Sequence, residues 1–249
     1  MVDTHCHLDS CDPPDAELIA RARGIGITHL ATVGLNGPSI ERALEAARAH
    51  EEVVAVVGRH PHHSEGFGDN DLDEIERAAQ DPWARAIGET GLDYYRDRAP
   101  REDQIRAFEA QLALAGRLRL PVVIHTRAAE DDTFSILAEH AAQMTVILHC
   151  FSAPDRLEEC VERGYFCSFA GNVTFKNADA LRRAATEVPE HLLLVETDSP
   201  YLAPVPVRGR PNEPANVTHT AELVADLRGV GYEALDATVE RNAAGVFGW

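Results

Sequence analysis

Several kinds of residue and motif are scarce in this 249-residue chain, and each scarcity argues against a class of protein. Five cysteines, an odd number without a CxxC pair, do not suit a disulfide framework and fit a reducing compartment. No stretch approaches the roughly 20 apolar residues of a membrane span. The first residues lack a basic region followed by an apolar run, so we expect no secretory signal. The sequence predicts a cytoplasmic protein without membrane association.

Positive charge is also scarce, with 23 basic residues against 41 acidic ones and a net charge of −18. Lys176 is the single lysine, and all other basic residues are arginines. This balance argues against a broad, non-specific coat for nucleic acid, which needs a positive face. It does not exclude a phosphodiester substrate that binds at a local site, where metal ions and a few arginines set the electrostatic potential.

What the chain does contain is a regular alternation of apolar and helical segments. Val53–Val57 precedes a helical segment at Leu72–Gln80, and Thr145–His149 precedes another at Asp155–Gly164. Eight such pairs occur, and strands that are apolar on both faces indicate a parallel sheet covered by helices. Eight βα units in this length predict an α/β fold, a single (β/α)8 TIM-barrel domain over residues 1–249. A doubly wound sheet is the competing fold, but its GxGxxG fingerprint is absent.

Residues of metal-ligand type fall at the carboxyl ends of the predicted strands, where such barrels carry their active sites. The opening stretch is extended, so His5 and His7 share a strand face, with Asp3 deeper on that face as expected support for a histidine. The candidate ligands are His5, His7, Glu89, His125, His149 and Asp198. His60 and His62 follow the third strand. Imidazole and carboxylate ligands suit Zn²⁺, Mn²⁺ or Mg²⁺.

These six side chains suffice for two divalent metal ions that share one carboxylate. Some barrels bridge their ions with a carboxylated lysine instead. Lys176 follows the seventh strand and not the fourth or fifth, so we expect Glu89 to be the bridge.

Seven segments in this order resemble the TatD family of metal-dependent hydrolases and deoxyribonucleases, almost from end to end. They are DTHCHL at 3–8, GRHPH at 58–62, GETGLDY at 88–94, PVVIHTR at 121–127, HCFS at 149–152, VTFKN at 173–177 and ETDSPYL at 196–202. The DxHxH opening alone is weak, whereas the ordered set is specific.

The resemblance implies a first metal held by His5, His7, Glu89 and Asp198. It implies a second metal held by Glu89, His125 and His149. His62 resembles the family residue that contacts the substrate phosphate. Arg127 and Lys176 are read either as phosphate contacts or as ion pairs at the rim.

The resemblance also implies an activity, hydrolysis of phosphodiester bonds in DNA from an exposed end, of the 3′-5′ exonuclease kind. Asp198 would be the general base, with Glu89 and His62 as the other catalytic residues. Because the surface is acidic, single-stranded ends are the expected partner. The alternatives are acyl or lactone hydrolysis at the same centre, and a non-catalytic metal-binding scaffold.

Two positions depart from the family pattern. Ala128 stands where an acidic residue usually follows the strand-5 arginine, and Pro211 replaces a residue of the segment that usually reads Arg-Asn-x-Pro. Both bear on substrate range and leave every predicted metal ligand in place.

Overall fold

The computed structural model describes residues 1–249 and contains eight strands in one sheet, in the chain order β1 to β8. Their bounds are β1 Val2–Cys6, β2 His29–Gly34, β3 Val53–Val57, β4 Ala84–Asp93, β5 Val122–Arg127, β6 Val146–Leu148, β7 Phe166–Phe169 and β8 Leu193–Val195. The register is parallel between β1 and β2, from β3 to β6, and between β7 and β8.

The first strand lies beside the chain that leaves the last one. Cys6 forms a parallel bridge with Ser199, and the backbone N–H of His7 donates to the Ser199 carbonyl at 2.8 Å. The N–H of Asp198 donates to the His5 carbonyl at 2.9 Å. Because the strands follow chain order and β1 meets the end of β8, the predicted (β/α)8 barrel is confirmed.

Helices separate the strands, as the alternation predicts. They are α1 Asp15–Gly24, α2 Gly37–Ala49, α3 Asp69–Ala78, α4 Arg101–Leu118, α5 Glu130–His140, α6 Leu157–Arg163, α7 Asp179–Glu187, α8 Val217–Arg228 and α9 Tyr232–Phe247. Helix α2 begins where its sequence provides an N-cap. The Asn36 side chain accepts a hydrogen bond from Ser39 N at 3.2 Å, and Pro38 lies in the first turn.

The chain divides into two compact units. The first unit comprises Met1–Thr32 and His149–Trp249, and the second comprises Val33–Leu148. In the second unit all five side chains of Val53–Val57 are buried, as expected for a strand covered on both faces. The single domain over residues 1–249 stays a prediction.

Two expectations drawn from composition can be compared with the structure. All five cysteines are free thiols, so no disulfide framework is present. No helix combines the length and the apolar character that a bilayer crossing would demand.

Candidate metal centre

Strand β1 of the first unit brings two imidazoles together. His5 and His7 are buried, and their Nε2 atoms lie 3.2 Å apart. The Asp198 Oδ1 atom lies 3.4 Å from His7 Nε2 and 3.9 Å from His5 Nε2. Ligands about 2.05 Å from a tetrahedral ion are separated by roughly 3.3 Å. The three predicted ligands therefore already have the spacing that a divalent cation requires.

Asp198 is positioned by the backbone after β8 and has a φ of 53°, in the left-handed region. Burial alone would raise the pKa of Asp198, but the hydrogen bond from His7 and the nearby charges of His149, His7 and His5 hold it below its ordinary value. The carboxylate is therefore ionised at neutral pH. An ionised carboxylate serves both as a metal ligand and as a proton acceptor.

Asp3 supports the histidine strand through the backbone. Its Oδ1 accepts hydrogen bonds from Thr197 N at 2.8 Å and His5 N at 3.3 Å, and its Oδ2 accepts from Thr197 Oγ1 at 2.5 Å. Complete burial raises the pKa of Asp3 to about 8. The carboxyl group thus contacts the backbone of His5 and ties β1 to the chain after β8.

His149, another predicted ligand, stacks on His5, with 3.8 Å between the ring centroids and 18° between the ring planes. Its Nδ1 lies 2.9 Å from Glu196 Oε1, which also accepts a hydrogen bond from Cys150 N at 2.8 Å. Glu196 is fully buried, and its Oε2 has no hydrogen-bond partner. Ligand atoms of His5, His149 and Glu196 lie within 4.8 Å of one another. The first unit thus holds a carboxylate for which the sequence suggested no role.

In the second unit, Glu89 of β4 is buried between two histidines. His125 Nδ1 lies 2.7 Å from Glu89 Oε1, and His60 Nε2 lies 3.4 Å from the same oxygen. Burial lowers the pKa of His60 to about 3, so this imidazole is neutral and can accept a cation. His60, Glu89 and His125 form a cluster of ligand atoms within 4.8 Å. The structure thus joins the two predicted ligands and adds His60, which was not among the predicted ligands.

Asp93, the last residue of β4, connects His125 to His62. Its Oδ2 lies 2.8 Å from His62 Nε2 and 3.2 Å from His125 Nε2. Burial opposes ionisation of Asp93, but hydrogen bonds from His125, Arg96 N and His62 hold its pKa well below the usual value. Because Asp93 Oδ2 contacts the Nε2 atom of His62, a substrate could bind His62 only through its other ring nitrogen, Nδ1.

A close approach of backbones sets the position of His125. Gly91 pairs with His125 across β4 and β5, and its φ is 135°. A Cβ atom at Gly91 would lie 2.0 Å from the His125 carbonyl oxygen. Only glycine tolerates both this conformation and this contact. The glycines in the 88–94 segment therefore have a packing role beside the ligands.

The two predicted phosphate contacts lie apart from these clusters. Arg127 is exposed at the end of β5, and its guanidinium carbon lies 4.1 Å from the centroid of the Tyr95 ring. Lys176 is exposed after β7, and its carbonyl accepts a hydrogen bond from Arg182 Nη2 at 3.2 Å. Neither side chain forms an ion pair in this structure, and the role of both residues stays a prediction.

Sequence reasoning placed His60 after the third strand without making it a metal ligand, and it assigned no role to Asp93 or Glu196. All three lie at or just beyond the carboxyl end of a strand, the same positional signal that identified the predicted ligands. A carboxylate that holds the second nitrogen of a ligating histidine is a regular companion of such sites. A search for acidic residues at strand ends would have found Asp93 and Glu196.

Known proteins of the same kind match the chain over nearly its whole length. The model of the family described as TatD related DNase matches residues 2–248. The uncharacterized metal-dependent hydrolase YabD of Bacillus subtilis is 36% identical, and the match covers 99% of this chain and 98% of that protein. A protein of Erwinia amylovora named 3′-5′ ssDNA/RNA exonuclease TatD is 36% identical, with 93% of each chain covered.

A solved structure agrees with these matches. The crystal structure of YjjV, a TatD homologue from Escherichia coli K12, superimposes with a TM-score of 0.93 at 28% identity. The match covers 100% of this chain and 98% of that one. These matches fit the clusters of imidazoles and carboxylates described above, because such clusters are what a metal-dependent hydrolase requires. The chain belongs to the TatD family and is a metal-dependent hydrolase.

Proposed function

We propose that the protein is a deoxyribonuclease that removes nucleotides from the 3′ ends of single-stranded DNA. The observation that carries the proposal is the trio His5, His7 and Asp198, whose ligand atoms lie 3.2–3.9 Å apart in a buried position at the end of β1. A relative at 36% identity is named as an exonuclease of single-stranded DNA and RNA, which supports the choice of substrate.

We propose two divalent ions, with the ligand sets that the family resemblance implies: His5, His7, Glu89 and Asp198 for one, and Glu89, His125 and His149 for the other. The donor chemistry fits, because neutral imidazoles and ionised carboxylates suit Zn²⁺ or Mn²⁺, and the carboxylates also suit Mg²⁺. Glu196 and Asp93 fit as the groups that orient His149 and His125 through a ring nitrogen.

Bound divalent ions would lower the pKa of a water molecule and polarise the phosphoryl oxygen. In the proposed reaction, Asp198 accepts the proton of the attacking water, which its lowered pKa permits because the carboxylate is ionised beforehand. His62 would contact a phosphate oxygen as the imidazolium, donating Nε2–H to Asp93 and Nδ1–H to the phosphate. Burial lowers the pKa of His62, and the negative charges of Asp93 and the bound phosphate favour the protonated ring in return. Glu89 would serve as a ligand beside His60 and His125, whose ring nitrogens lie 3.4 Å and 2.7 Å from its Oε1 atom.

The acidic surface bears on the form of DNA that is bound. A net charge of −18 repels the dense phosphate backbone of long duplexes, whereas a single-stranded end presents fewer phosphates to the protein. A cytoplasmic location, proposed from the five free cysteines, is where such ends would be met.

The test compares substrates side by side with the metal-loaded protein: a single-stranded DNA oligonucleotide, a blunt duplex, a circular duplex, an aryl phosphodiester and a lactone. We expect fastest release of nucleotides from the free 3′ end of the single strand, loss of activity on chelation, and recovery when metal is added. Cleavage of the circle as fast as the free end, or hydrolysis of the lactone alone, would overturn the proposal.

A further inference from the structure

An exposed tyrosine of the second unit lies two residues after Asp93, just beyond the end of β4. Tyr95 has 64% of its surface exposed, more than any other large hydrophobic residue of the chain. The Arg127 guanidinium carbon lies 4.1 Å from the Tyr95 ring centroid, and that of Arg96 lies 5.8 Å from it. A tyrosine ring exposed to this extent offers a π-face on which another planar group can stack. The arginines cover only part of it.

The backbone around Tyr95 is fixed by the site itself. Asp93 Oδ1 accepts hydrogen bonds from Tyr95 N at 3.0 Å and Arg96 N at 2.7 Å. The other oxygen of the same carboxylate contacts His62 and His125. One side chain therefore holds the proposed phosphate-binding and metal-binding imidazoles and also the turn that carries the exposed ring.

Neighbouring contacts make this turn rigid. Tyr94 N donates to the Arg127 carbonyl at 3.0 Å, and Tyr94 OH donates to Asp132 Oδ2 at 2.8 Å. The Arg101 guanidinium carbon lies 4.0 Å from the centroid of the Tyr94 ring. The Tyr94 side chain is thus held by a hydrogen bond and a guanidinium group, whereas the Tyr95 side chain makes no hydrogen bond and has guanidinium groups beside its ring.

Two guanidinium groups lie next to the ring although the chain is acidic. Arg96, Arg98 and Arg127 form no ion pair, and residue 128, beside Arg127, is an uncharged alanine. Arg127 follows His125 by two residues on β5, about 7 Å along the strand and with side chains on the same face. The ring and its free guanidinium therefore lie within about one nucleotide's reach of the proposed ligand His125.

We propose that Tyr95 and Arg127 form a stacking subsite for a nucleobase of single-stranded nucleic acid, next to the nucleotide that is cleaved. The proposal rests on the proposed nuclease function. Every base has a planar π-face, so a tyrosine ring backed by a guanidinium plane binds it without reading its sequence. The unpaired charges of Arg96, Arg98 and Arg127 attract the adjoining phosphates, which favours a nucleic acid over an uncharged aromatic ligand.

Binding is measured with a fluorescently labelled, phosphorothioate single-stranded oligonucleotide, which resists cleavage, and with an abasic strand of equal length. The metal-loaded wild type is compared with Tyr95→Leu, which keeps bulk without a π-face, and with Tyr95→Phe, which keeps the face. Tyr232→Leu, at the start of α9 in the first unit, is the matched control.

We expect the wild type to bind the base-containing strand about tenfold more tightly than the abasic strand, because stacking of one base on an aromatic ring stabilises a complex by about that factor. Tyr95→Leu should abolish that ratio, Tyr95→Phe should restore it, and Arg127→Lys should reduce it because the planar guanidinium is lost. Tyr232→Leu should keep the wild-type ratio.

Equal binding of the two strands by the wild type, or an unchanged ratio in Tyr95→Leu, would overturn the subsite whether or not the enzyme cuts DNA. The wild-type comparison needs no variant, so it decides the matter even if Tyr95→Leu folds poorly. Base-dependent binding without hydrolysis of any oligonucleotide would instead support the subsite and refute the proposed function.

Discussion

Each unit has its own cluster of candidate ligands, and the two clusters are built in different ways. In the first unit, two ligands come from one strand, since His5 and His7 are two residues apart and their Nε2 atoms are 3.2 Å apart. In the second unit, His60, Glu89 and His125 come from the ends of three strands. Short-range spacing places the pair His5 and His7, whereas strand register alone builds the second cluster. The pair should tolerate small shifts between strands, and the second cluster should not.

The units also differ in how carboxylates are used. Glu196 contacts one imidazole and one backbone amide in the first unit. Asp93 contacts two imidazoles and two backbone amides in the second. The second unit therefore couples its ligands to a surface turn, which is where substrate contacts are expected.

The largest effect is expected from Asp198→Asn in the first unit. Asparagine adopts a positive φ readily and can still offer a ligand oxygen, so the fold and metal content should persist. Its amide cannot accept the proton of water, so turnover of a DNA strand should fall by about 10²–10⁴-fold. Rates and bound metal are measured together, with Asp226→Asn on α8 as control. Near wild-type turnover with full metal content would remove Asp198 as the base.

A large loss of stability is expected from Gly91→Ala in the second unit. The added methyl would lie 2.0 Å from the His125 carbonyl, at a φ of 135°. Strain and overpacking together should lower the free energy of unfolding by about 3 kcal/mol, seen as a lower melting temperature. Gly245→Ala on α9 is the matched control of opposite sign, because no atom lies within 4 Å of the added methyl and alanine favours a helix by about 0.5–1 kcal/mol. Equal melting temperatures for the two variants would show that register does not hold the second cluster.

Much of this architecture was predictable, and the exceptions have a physical cause. Val53–Val57 was predicted at its observed bounds, because a strand buried on both faces is an uninterrupted apolar run. Strand β4 runs to Asp93, well beyond its apolar start at Ala84–Ile87. Its second half contains two glycines, a glutamate and a threonine, and it stays extended because it pairs with β5. Local composition carries no information about such pairing.

The candidate site likewise contains one part that local sequence predicts and another that it does not. The pair His5 and His7 was predictable because the period of a strand is two residues. The contacts of Asp93 with His62 and His125 span 31 and 32 residues of sequence, and that of Glu196 with His149 spans 47. Spacing along the chain cannot identify these partners, because they are set by the register of neighbouring strands.

Asp93→Asn and Glu196→Gln compare the two units directly. Loss of a carboxylate behind a ligating histidine costs about 10–100-fold in metal affinity. We expect Asp93→Asn to lower metal affinity by an amount near the upper end of this range, because two imidazoles and a turn lose their hydrogen-bond acceptor. Glu196→Gln should lower it by an amount near the lower end. Metal titration followed by calorimetry gives both values, with Glu233→Gln on α9 as control. A larger loss in Glu196→Gln would reverse the ranking of the two carboxylates.

The smallest effect concerns the position where the chain departs from its family. Ala128 has a φ of 52°, a conformation that aspartate and asparagine adopt more easily than alanine. In Ala128→Asp, the new carboxylate should pair with Arg127 and withdraw its guanidinium from Tyr95. An exposed pair contributes at most about 1 kcal/mol, so binding of a single-stranded oligonucleotide should weaken about two- to fivefold. Ala128→Asn has the same shape without the charge and should bind as the wild type does. If both variants bind alike, the missing acid at residue 128 has no part in how this chain holds its substrate.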